Sequence, residues 1–307
     1  MSAQPAGAAR TAVRPVLTST DISLLGVVLV WGIGYVGFKV AQNEVPTLLF
    51  NVLRYSIATP LLWLVLLRSD EDWRLPRKDW LRTAAIGLIG VLVYGVVFAA
   101  AAKMTTAANT SLLLALSPIW TVLLLWMGGK GAPTVRYLLG SLVAFGGAAI
   151  VIGFGATALA FDLAKWQGDL LALVASVIFA WYGLAAQPLL KSHSGVKVQA
   201  WINLIALAGF LAWQAPAAAA FDWAAVSLKA WLWIAWVGLL VSMYAHMVWY
   251  SAIATVGPNR VMLALYLVPA VAAASGALFL GQGFSWIQIL GAALALGGVA
   301  LVRRGQQ

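Results

Sequence analysis

Apolar stretches of roughly 20 residues recur along the whole chain, which is the length that a helix needs to cross a bilayer. Their hydrophobic pattern has no period of two, and each run is too long for a barrel strand, so we predict helices. The seventh stretch is the weakest prediction, because it is the shortest and carries Gln199, Asn203 and Gln214. The predicted spans are residues 22–41, 46–67, 80–102, 107–127, 134–154, 168–190, 198–215, 229–253, 258–280 and 284–302.

The second half of the chain repeats the first. A shift of 151 positions places Pro118 on Pro269, and it also places the glycine pair 146–147 on the pair 297–298. A shift this constant indicates an internal duplication. Each copy holds five spans, and because five is odd, the second copy enters the membrane from the opposite side. We therefore predict an all-α membrane protein with ten transmembrane helices, arranged as two inverted five-helix repeats.

The distribution of Lys and Arg predicts the orientation of these helices. With the N-terminus in the cytoplasm, fourteen of them fall on the cytoplasmic side and four on the other side, while Arg54 lies inside a span. This excess predicts that both termini are cytoplasmic, and we expect the protein in a bacterial inner membrane. The predicted organisation is a cytoplasmic tail (1–21), the first repeat (22–154), a connector (155–167), the second repeat (168–302) and a cytoplasmic C-terminus (303–307).

Composition supports a membrane protein and excludes several other classes. The chain is 63% hydrophobic and only 9% charged, whereas a soluble domain carries about 25% charged residues. The formal net charge of +10 does not indicate nucleic-acid binding, because the basic residues are dispersed among loops. With no cysteine, two distant histidines and no intramembrane acid pair, we expect no cofactor, no metal and no enzyme activity. The expected partners are the lipid bilayer and a small-molecule solute; the oligomeric state stays open, and a monomer is compatible with the sequence.

Several strings of the chain, taken together, resemble a known family. They are WGIGYVGFKVA (31–41), LRYSIATPLLWL (53–64) and the two proline-containing spans that are followed by glycine pairs. This combination resembles the drug/metabolite transporter superfamily, specifically its ten-span EamA-type members, and among them the YddG-like aromatic amino-acid exporters. The resemblance implies alternating-access export of amino acids, with aromatic and bulky apolar ones favoured. Members often carry Glu in the loops after the fourth and ninth spans, where this chain has Lys130 and Gln282, so that acid's role cannot be transferred.

The acidic residues all fall in loops or at the ends of spans. Proton-driven transporters commonly relay protons through Asp, Glu or His inside the membrane. We therefore predict a facilitator or exchanger without an Asp/Glu proton relay, in which His246 is the one conventional titrating group left inside the membrane.

Two basic residues are candidates for contact with the solute. Arg54 lies roughly 12 Å below the outer end of its span, where a charge is costly unless it faces protein or water. It suits a cation that recognises a carboxylate, and it equally suits a structural arginine bonded to backbone carbonyls. Lys39, near the outer end of the first span, either contacts the solute or snorkels to the interface.

Six further candidates are aromatic residues or histidine. On a regular helix, His246 shares a face with Met243, Met247 and Tyr250, and such a face suits a planar ligand or ordinary packing. Buried Trp and Tyr need partners for their polar groups, which favours positions along a cavity. The six candidates are Tyr94, Trp181, Tyr182, Tyr244, His246 and Tyr266.

Proline and glycine mark two further features. Pro118 and Pro269 lie mid-span at equivalent positions, so each predicts a bend that is either passive or a hinge of the transport cycle. The glycines in G-x-G-x-x-G at 32–37 match a dinucleotide-binding fingerprint, but they lie inside a predicted membrane helix. We expect them to permit close helix packing instead.

Two other functions remain open from the sequence alone. Hydrophobic drugs or quaternary amines could be held by cation–π contacts and exported. A structural or lipid-scrambling membrane protein would show lipid movement without dependence on a solute.

Overall fold

A computed structural model describes residues 18–105, 107–130, 132–154, 166–283 and 285–304. The predicted tail up to residue 17, most of the predicted connector (155–165) and the last residues 305–307 lie outside this part of the chain. The described residues are helical apart from turns and short loops, with no strand among them.

Ten helical spans are present, which confirms the predicted architecture. Nine are long and apolar enough to cross a bilayer, and the tenth has a shorter apolar stretch at Trp286–Val302, all counted over the described residues. The uninterrupted helices are α1 (Ser19–Gln42), α2 (Thr47–Leu67), α5 (Val135–Gly153), α6 (Trp166–Leu190), α7 (Gly195–Ala220) and α10 (Trp286–Arg304). The spans built from several segments are α3 (Arg77–Ala85, Ile86–Val93, Tyr94–Met104), α4 (Ala107–Leu114, Ser117–Met127), α8 (Leu228–Trp236, Val237–Ala245, His246–Val256) and α9 (Pro258–Met262, Leu263–Leu267, Val268–Leu280).

The interruptions recur at equivalent positions in the two repeats. The middle segments of α3 and α8, Ile86–Val93 and Val237–Ala245, are both π-helical, and their first residues are 151 positions apart. Segments of π-helix inside α-helices are uncommon and are frequent at functional sites. The two repeats therefore share an irregular backbone as well as their sequence pattern.

The two prolines interrupt their spans rather than bending a continuous helix. The second part of α4 begins at Ser117 and has Pro118 in its first turn. In α9 a 3₁₀ segment (Leu263–Leu267) precedes the last part, which has Pro269 in its first turn. Proline is well tolerated at a helix start, because its missing N–H would have no partner there. The predicted bends thus take the form of broken helices.

The seventh span is longer than predicted, since α7 covers Gly195–Ala220 rather than 198–215. Its polar residues are buried instead of ending the helix. The Gln199 side-chain amide donates to the carbonyl oxygen of Ser242 at 2.8 Å, inside the π-helical segment of α8. A buried side-chain amide needs a hydrogen-bond partner in an apolar interior, and this carbonyl satisfies the Gln199 donor.

The helices α5 and α10 cross in close backbone contact, through glycines. A Cβ added at Gly147 would collide with Ala295 and Gly291, and one added at Gly298 would collide with Ala144 and Gly140. The shift of 151 positions relates Gly147 to Gly298, and it relates the residues that each of them meets in the same way. This reciprocity is expected of a two-fold interface. The neighbouring Gly146 and Gly297 have nothing within 4 Å, so only one glycine of each pair makes the contact.

The glycines of α1 pack closely as well, as the sequence predicted. A Cβ at Gly34 would lie 2.7 Å from the Val241 side chain, and one at Gly37 would lie 2.9 Å from Trp233. Gly32 faces Val271 of α9 at still shorter range. These glycines bring α1 of the first repeat against α8 and α9 of the second.

Candidate functional site

A chain of aromatic rings lies where α1, α3, α6 and α8 meet in the interior. Phe179 is its centre, with ring centroids 5.7 Å from Tyr94, 5.9 Å from Tyr182 and 6.4 Å from Trp249. Trp249 continues the chain to Trp31 at 4.7 Å. Such tilted and offset pairs are favourable arrangements for buried rings. We call the central aromatic cluster the set Trp31, Tyr94, Phe179, Tyr182, Trp249 and Tyr250.

Arg54 of α2 lies beside this cluster and is buried, with 8% of its surface exposed. Its guanidinium carbon is 4.5 Å from the ring centroid of Tyr55 and 5.3 Å from that of Phe38. Nη2 donates a hydrogen bond to the Tyr55 hydroxyl at 3.1 Å, while Nε is buried without a partner. The charge is close enough to act on the cluster residues Tyr94 and Tyr182.

Arg54 has no carboxylate partner among the described residues. The ion pairs Asp79–His193, Glu71–Lys197 and Asp21–Arg260 of that part of the chain lie at helix ends and in loops. A buried cation without a counter-ion is costly, and the stacking on Tyr55 and Phe38 offsets only part of that cost. The site is therefore electrostatically suited to an anionic group of a ligand.

Tyr35 and Phe38 of α1 form the adjacent wall. Tyr35 keeps 37% of its surface accessible and lies within hydrogen-bonding reach of the Ser111 side chain. The Phe38 ring lies 5.0 Å from Phe50 and 6.4 Å from Tyr35, so aromatic surface continues from Arg54 along α1.

His246 follows directly after the π-helical segment of α8. Its Nδ1 lies 2.7 Å from the carbonyl oxygen of Val241, so Nδ1–H donates to that carbonyl, which lies in the π-helical segment. This bond fixes a tautomer with Nε2 as an acceptor. The imidazole ring packs 5.3 Å from Trp31.

The structure brings some predicted site residues together and places others elsewhere. Arg54, Tyr94, Tyr182 and His246 converge, and half-buried Trp181 packs at the edge of the same core. Tyr244 is 51% exposed and faces away from the cluster, while Lys39 is exposed in the last turn of α1. Tyr266 is buried in a separate cluster with Tyr137 and Val122.

The face predicted around His246 is wrong in part. Met243 and Met247 pack instead against Leu62, Leu66 and Ala200, whereas His246 and Tyr250 lie toward the central cluster. Met243 lies in the π-helical segment, where the spacing of a regular α-helix does not apply, while Met247 directly follows His246 and lies about 100° around the helix from it. The interior face of this part of α8 therefore carries His246, Trp249 and Tyr250.

Several residues of the site were not among the sequence-based candidates. They are Trp31, Tyr35, Phe38, Tyr55, Phe179, Trp249 and Tyr250. One signal was present, since Trp31, Tyr35 and Phe38 are spaced four and three residues apart, which places them on one side of a helix. The contributions of Phe179 and Trp249 depend on how distant helices pack, and the local sequence does not show this.

Polar contacts hold the repeats together at both ends of the molecule. At one end, Glu44 after α1 accepts hydrogen bonds from Ser227 before α8, from its backbone N–H at 2.7 Å and from its hydroxyl at 2.8 Å. At the other end, Arg260 of α9 donates to both carboxylate oxygens of Asp21 at 3.1 and 3.0 Å. We call these the Glu44–Ser227 latch and the Asp21–Arg260 latch.

A model of the EamA-like transporter family matches residues 18–153 and residues 166–304, so nearly the whole of each repeat is covered. A solved structure superposes with a TM-score of 0.78 at 19% identity, over 93% of this chain and 98% of its own. That likeness confirms the fold.

Two similar proteins that match over more than nine tenths of their length are described as a transporter and an exporter. An uncharacterized transporter of Archaeoglobus fulgidus is 25% identical over 296 residues, covering 94% of this chain and 99% of its own. A probable terminal-alkyne amino-acid exporter of Streptantibioticus cattleyicolor is 27% identical over 286 residues, covering 92% of each chain. The inner membrane protein YtfF of Escherichia coli is 28% identical over 195 residues, or 58% of each chain.

Proposed function

Because the chain belongs to the EamA-like transporter family, we propose that it exports amino acids by alternating access, with aromatic and bulky apolar ones as preferred solutes. The observation that carries this proposal is Arg54, a buried cation that no described carboxylate neutralises. The carboxylate of an amino acid would supply the missing charge, and the planar guanidinium can bind it through two parallel hydrogen bonds.

The side chain of such a solute would occupy the aromatic surface beside Arg54. Phe38, Tyr94 and Phe179 offer ring faces to an apolar or aromatic group, and the buried hydroxyl of Tyr250, which lies within hydrogen-bonding reach of Tyr182, offers a polar contact. The exporter of Streptantibioticus cattleyicolor, which is described as acting on a terminal-alkyne amino acid, is consistent with a carboxylate-bearing apolar solute.

Transport would run without a proton relay through acidic residues. Each described acid lies in a loop or in the first turn of a helix, as Asp21, Asp79 and Asp169 do, and Asp162 falls outside the described residues. A relay needs titrating groups inside the membrane, and His246 is tied to the Val241 carbonyl. We therefore propose a facilitator or an exchanger.

The two halves would alternate around the central cluster. Inverted repeats have two nearly equivalent ways to close, one toward each side of the membrane. The broken spans α4 and α9, with Pro118 and Pro269 at their restarts, are the proposed hinges. The positive-inside excess supports a cytoplasmic position for both termini, and the likeness to YtfF supports a bacterial inner membrane.

The same geometry disfavours the alternative of quaternary-amine efflux. A permanently cationic solute beside the central aromatic cluster would lie close to Arg54. The two positive charges would repel each other strongly, because the interior has a low dielectric constant. Family membership likewise favours transport over an enzyme activity or a lipid-scrambling role.

The test is uptake of labelled phenylalanine into proteoliposomes by Arg54→Gln and Arg54→Lys variants. Removing one partner of a desolvated charge pair costs about 2–5 kcal/mol, so Arg54→Gln is expected to weaken phenylalanine affinity by roughly 30-fold or more. Arg54→Lys keeps the charge but loses the planar geometry, and an intermediate affinity is expected.

Phenylalanine amide and Lys39→Gln are the matched controls. The amide lacks the carboxylate, so wild type and Arg54→Gln should have similar affinities for it. Lys39→Gln removes an exposed charge and should change the affinity for phenylalanine less than twofold. Equal affinity of wild type and Arg54→Gln for phenylalanine would refute the assigned role of Arg54.

A further inference from the structure

A cavity of about 650 Å³ opens at the end of the molecule that the charge distribution assigns to the cytoplasm. It lies between the end of α4 in the first repeat and the adjoining ends of α6, α8 and α9 in the second repeat. We call this cavity the cytoplasmic vestibule. Its size suits a solute as large as an amino acid.

The vestibule is lined by three basic side chains. Lys130 follows α4, Lys191 follows α6, and Arg260 lies in the first part of α9. Arg260 is paired with Asp21. Both lysine side chains are exposed, and neither side chain has an ion pair or a hydrogen bond among the described residues. The lining thus keeps an uncompensated positive charge.

Unused hydrogen-bonding groups lie in the same wall. Nε of Arg260 is a buried donor without a described partner, and Oδ1 of Asn259 is a buried acceptor without one. The vestibule therefore combines cations for a carboxylate with an acceptor for an ammonium group, which are the two polar ends of an amino acid.

The opposite mouth lacks this charge. At the equivalent positions of the other repeat, Lys130 corresponds to Gly281 and Arg260 to Asn109 under the shift of 151 positions. Lys191 corresponds to Ala41 under the shift of 150 positions that relates Trp31 to Trp181. The two mouths of a nearly symmetric molecule thus differ in charge.

We propose that the cytoplasmic vestibule binds the carboxylate of the solute through Lys130, Lys191 and Arg260, before the solute reaches Arg54. This inference rests on the proposed export of amino acids and adds a first binding station on the cytoplasmic side. A positive mouth raises the local concentration of anionic groups, and the absence of charge at the three equivalent outer positions favours release.

The test measures equilibrium binding of labelled benzoate, as a minimal aromatic carboxylate, in phosphatidylcholine nanodiscs. It is made in an Arg54→Gln background, so that the central arginine does not contribute. Neutralising both lysines (Lys130→Gln with Lys191→Gln) is expected to weaken binding by about 5- to 20-fold, given two partly exposed charge pairs. Adding 0.5 M salt should also weaken benzoate binding to the vestibule that keeps both lysines, because the salt screens their charges.

The matched control removes two exposed charges from the same face but outside the cavity, through Lys78→Gln with Arg136→Gln. This pair loses as much positive charge from the cytoplasmic side, so it separates binding in the vestibule from an effect of net charge or topology. Benzoate binding that weakens equally in both pairs would overturn the proposal. So would nanodiscs in which phosphatidylglycerol abolishes the binding, because the vestibule would then hold a lipid headgroup.

Phenylalanine transport separates this inference from the proposed function. Wild type is first tested for phenylalanine transport. If it transports phenylalanine, but the vestibule double variant and the control double variant have the same KM for phenylalanine added on the cytoplasmic side, the vestibule proposal is wrong and amino-acid export stands. If wild type transports no amino acid yet benzoate binding depends on Lys130 and Lys191, the vestibule stands and the proposed solute is wrong.

Discussion

At the scale of single residues, polar side chains in this interior are positioned by irregular backbone. Gln199 and His246 both bond to carbonyls of the π-helical segment of α8. An unpaired polar side chain is costly in an apolar interior, so these carbonyls satisfy the two donors and fix the positions of both side chains. His246 consequently presents a defined face to Trp31.

The Glu44–Ser227 latch leads to a prediction about pH. The backbone N–H of Ser227, then its hydroxyl and the charge of Lys229, hold the pKa of Glu44 below its usual value. A carboxylate with a lowered pKa in the folded state contributes its contact above the ordinary Glu pKa, near about 4.3. That contribution is lost as the pH falls through the lowered pKa. We expect the latch to hold at neutral pH and to release only as the pH falls below the ordinary pKa of Glu.

The measurement is the distance between spin labels at Asn43→Cys and Ala225→Cys, two exposed positions beside the latch. The chain contains no cysteine, so no native thiol interferes. The distance should lengthen between pH 7 and pH 3.5, and Glu44→Gln should show the long distance already at pH 7. A distance that stays constant in both proteins would show that this contact does not hold the loops together.

At the scale of elements, the crossing of α5 and α10 predicts opposite effects for two adjacent glycines. A Cβ at Gly147 would meet backbone atoms of α10 that cannot move aside, whereas a Cβ at Gly146 meets open space. Gly147→Ala should therefore destabilise the protein by about 1–3 kcal/mol. Gly146→Ala should be neutral or stabilising by up to about 1 kcal/mol, since Ala is the better helix former.

Thermal unfolding of both variants in the same detergent checks this prediction. The expected result is a lowered Tm for Gly147→Ala and an unchanged or raised Tm for Gly146→Ala. Because Gly298 occupies the equivalent position, Gly298→Ala should resemble Gly147→Ala. Equal Tm values for the adjacent pair would contradict the close crossing.

The elements themselves were largely predictable from the sequence, because lipid permits few alternatives. Length and hydropathy place the spans, and the repeated prolines mark where α4 and α9 are interrupted. The π-helical segments were not predictable, since Ile86–Val93 and Val237–Ala245 are continuous apolar runs that an α-helix would suit equally. The candidate site was therefore only partly predictable: Arg54 and Tyr182 lie in regular helices at the central aromatic cluster, whereas Met243 lies in a π-helical segment and packs away from the face predicted for it.

At the scale of the whole molecule, the two repeats share a backbone but differ in charge. Close packing of α5 with α10 and of α1 with α8 and α9 requires only small residues, which both repeats can supply. Binding requires particular charges, and these are unequal: Arg54 belongs to the first repeat only, and Lys130, Lys191 and Arg260 lie at one mouth. The fold thus provides two equivalent ways to close, while the side chains make the two sides of the membrane chemically distinct.

This reasoning depends on which end of the molecule faces the cytoplasm, and Ser69 and Ala220 can decide it. Both are exposed and lie 151 positions apart, Ser69 after α2 and Ala220 at the end of α7. Two spans precede Ser69 and seven spans end by Ala220. Because one number is even and the other is odd, the two residues lie on opposite sides of the bilayer. With a cytoplasmic N-terminus, an impermeant maleimide should label Ala220→Cys in intact cells, and Ser69→Cys only after permeabilisation. The reverse pattern would place the vestibule outside and make it a site of uptake or release, whereas labelling of both from one side would be incompatible with repeats of opposite orientation.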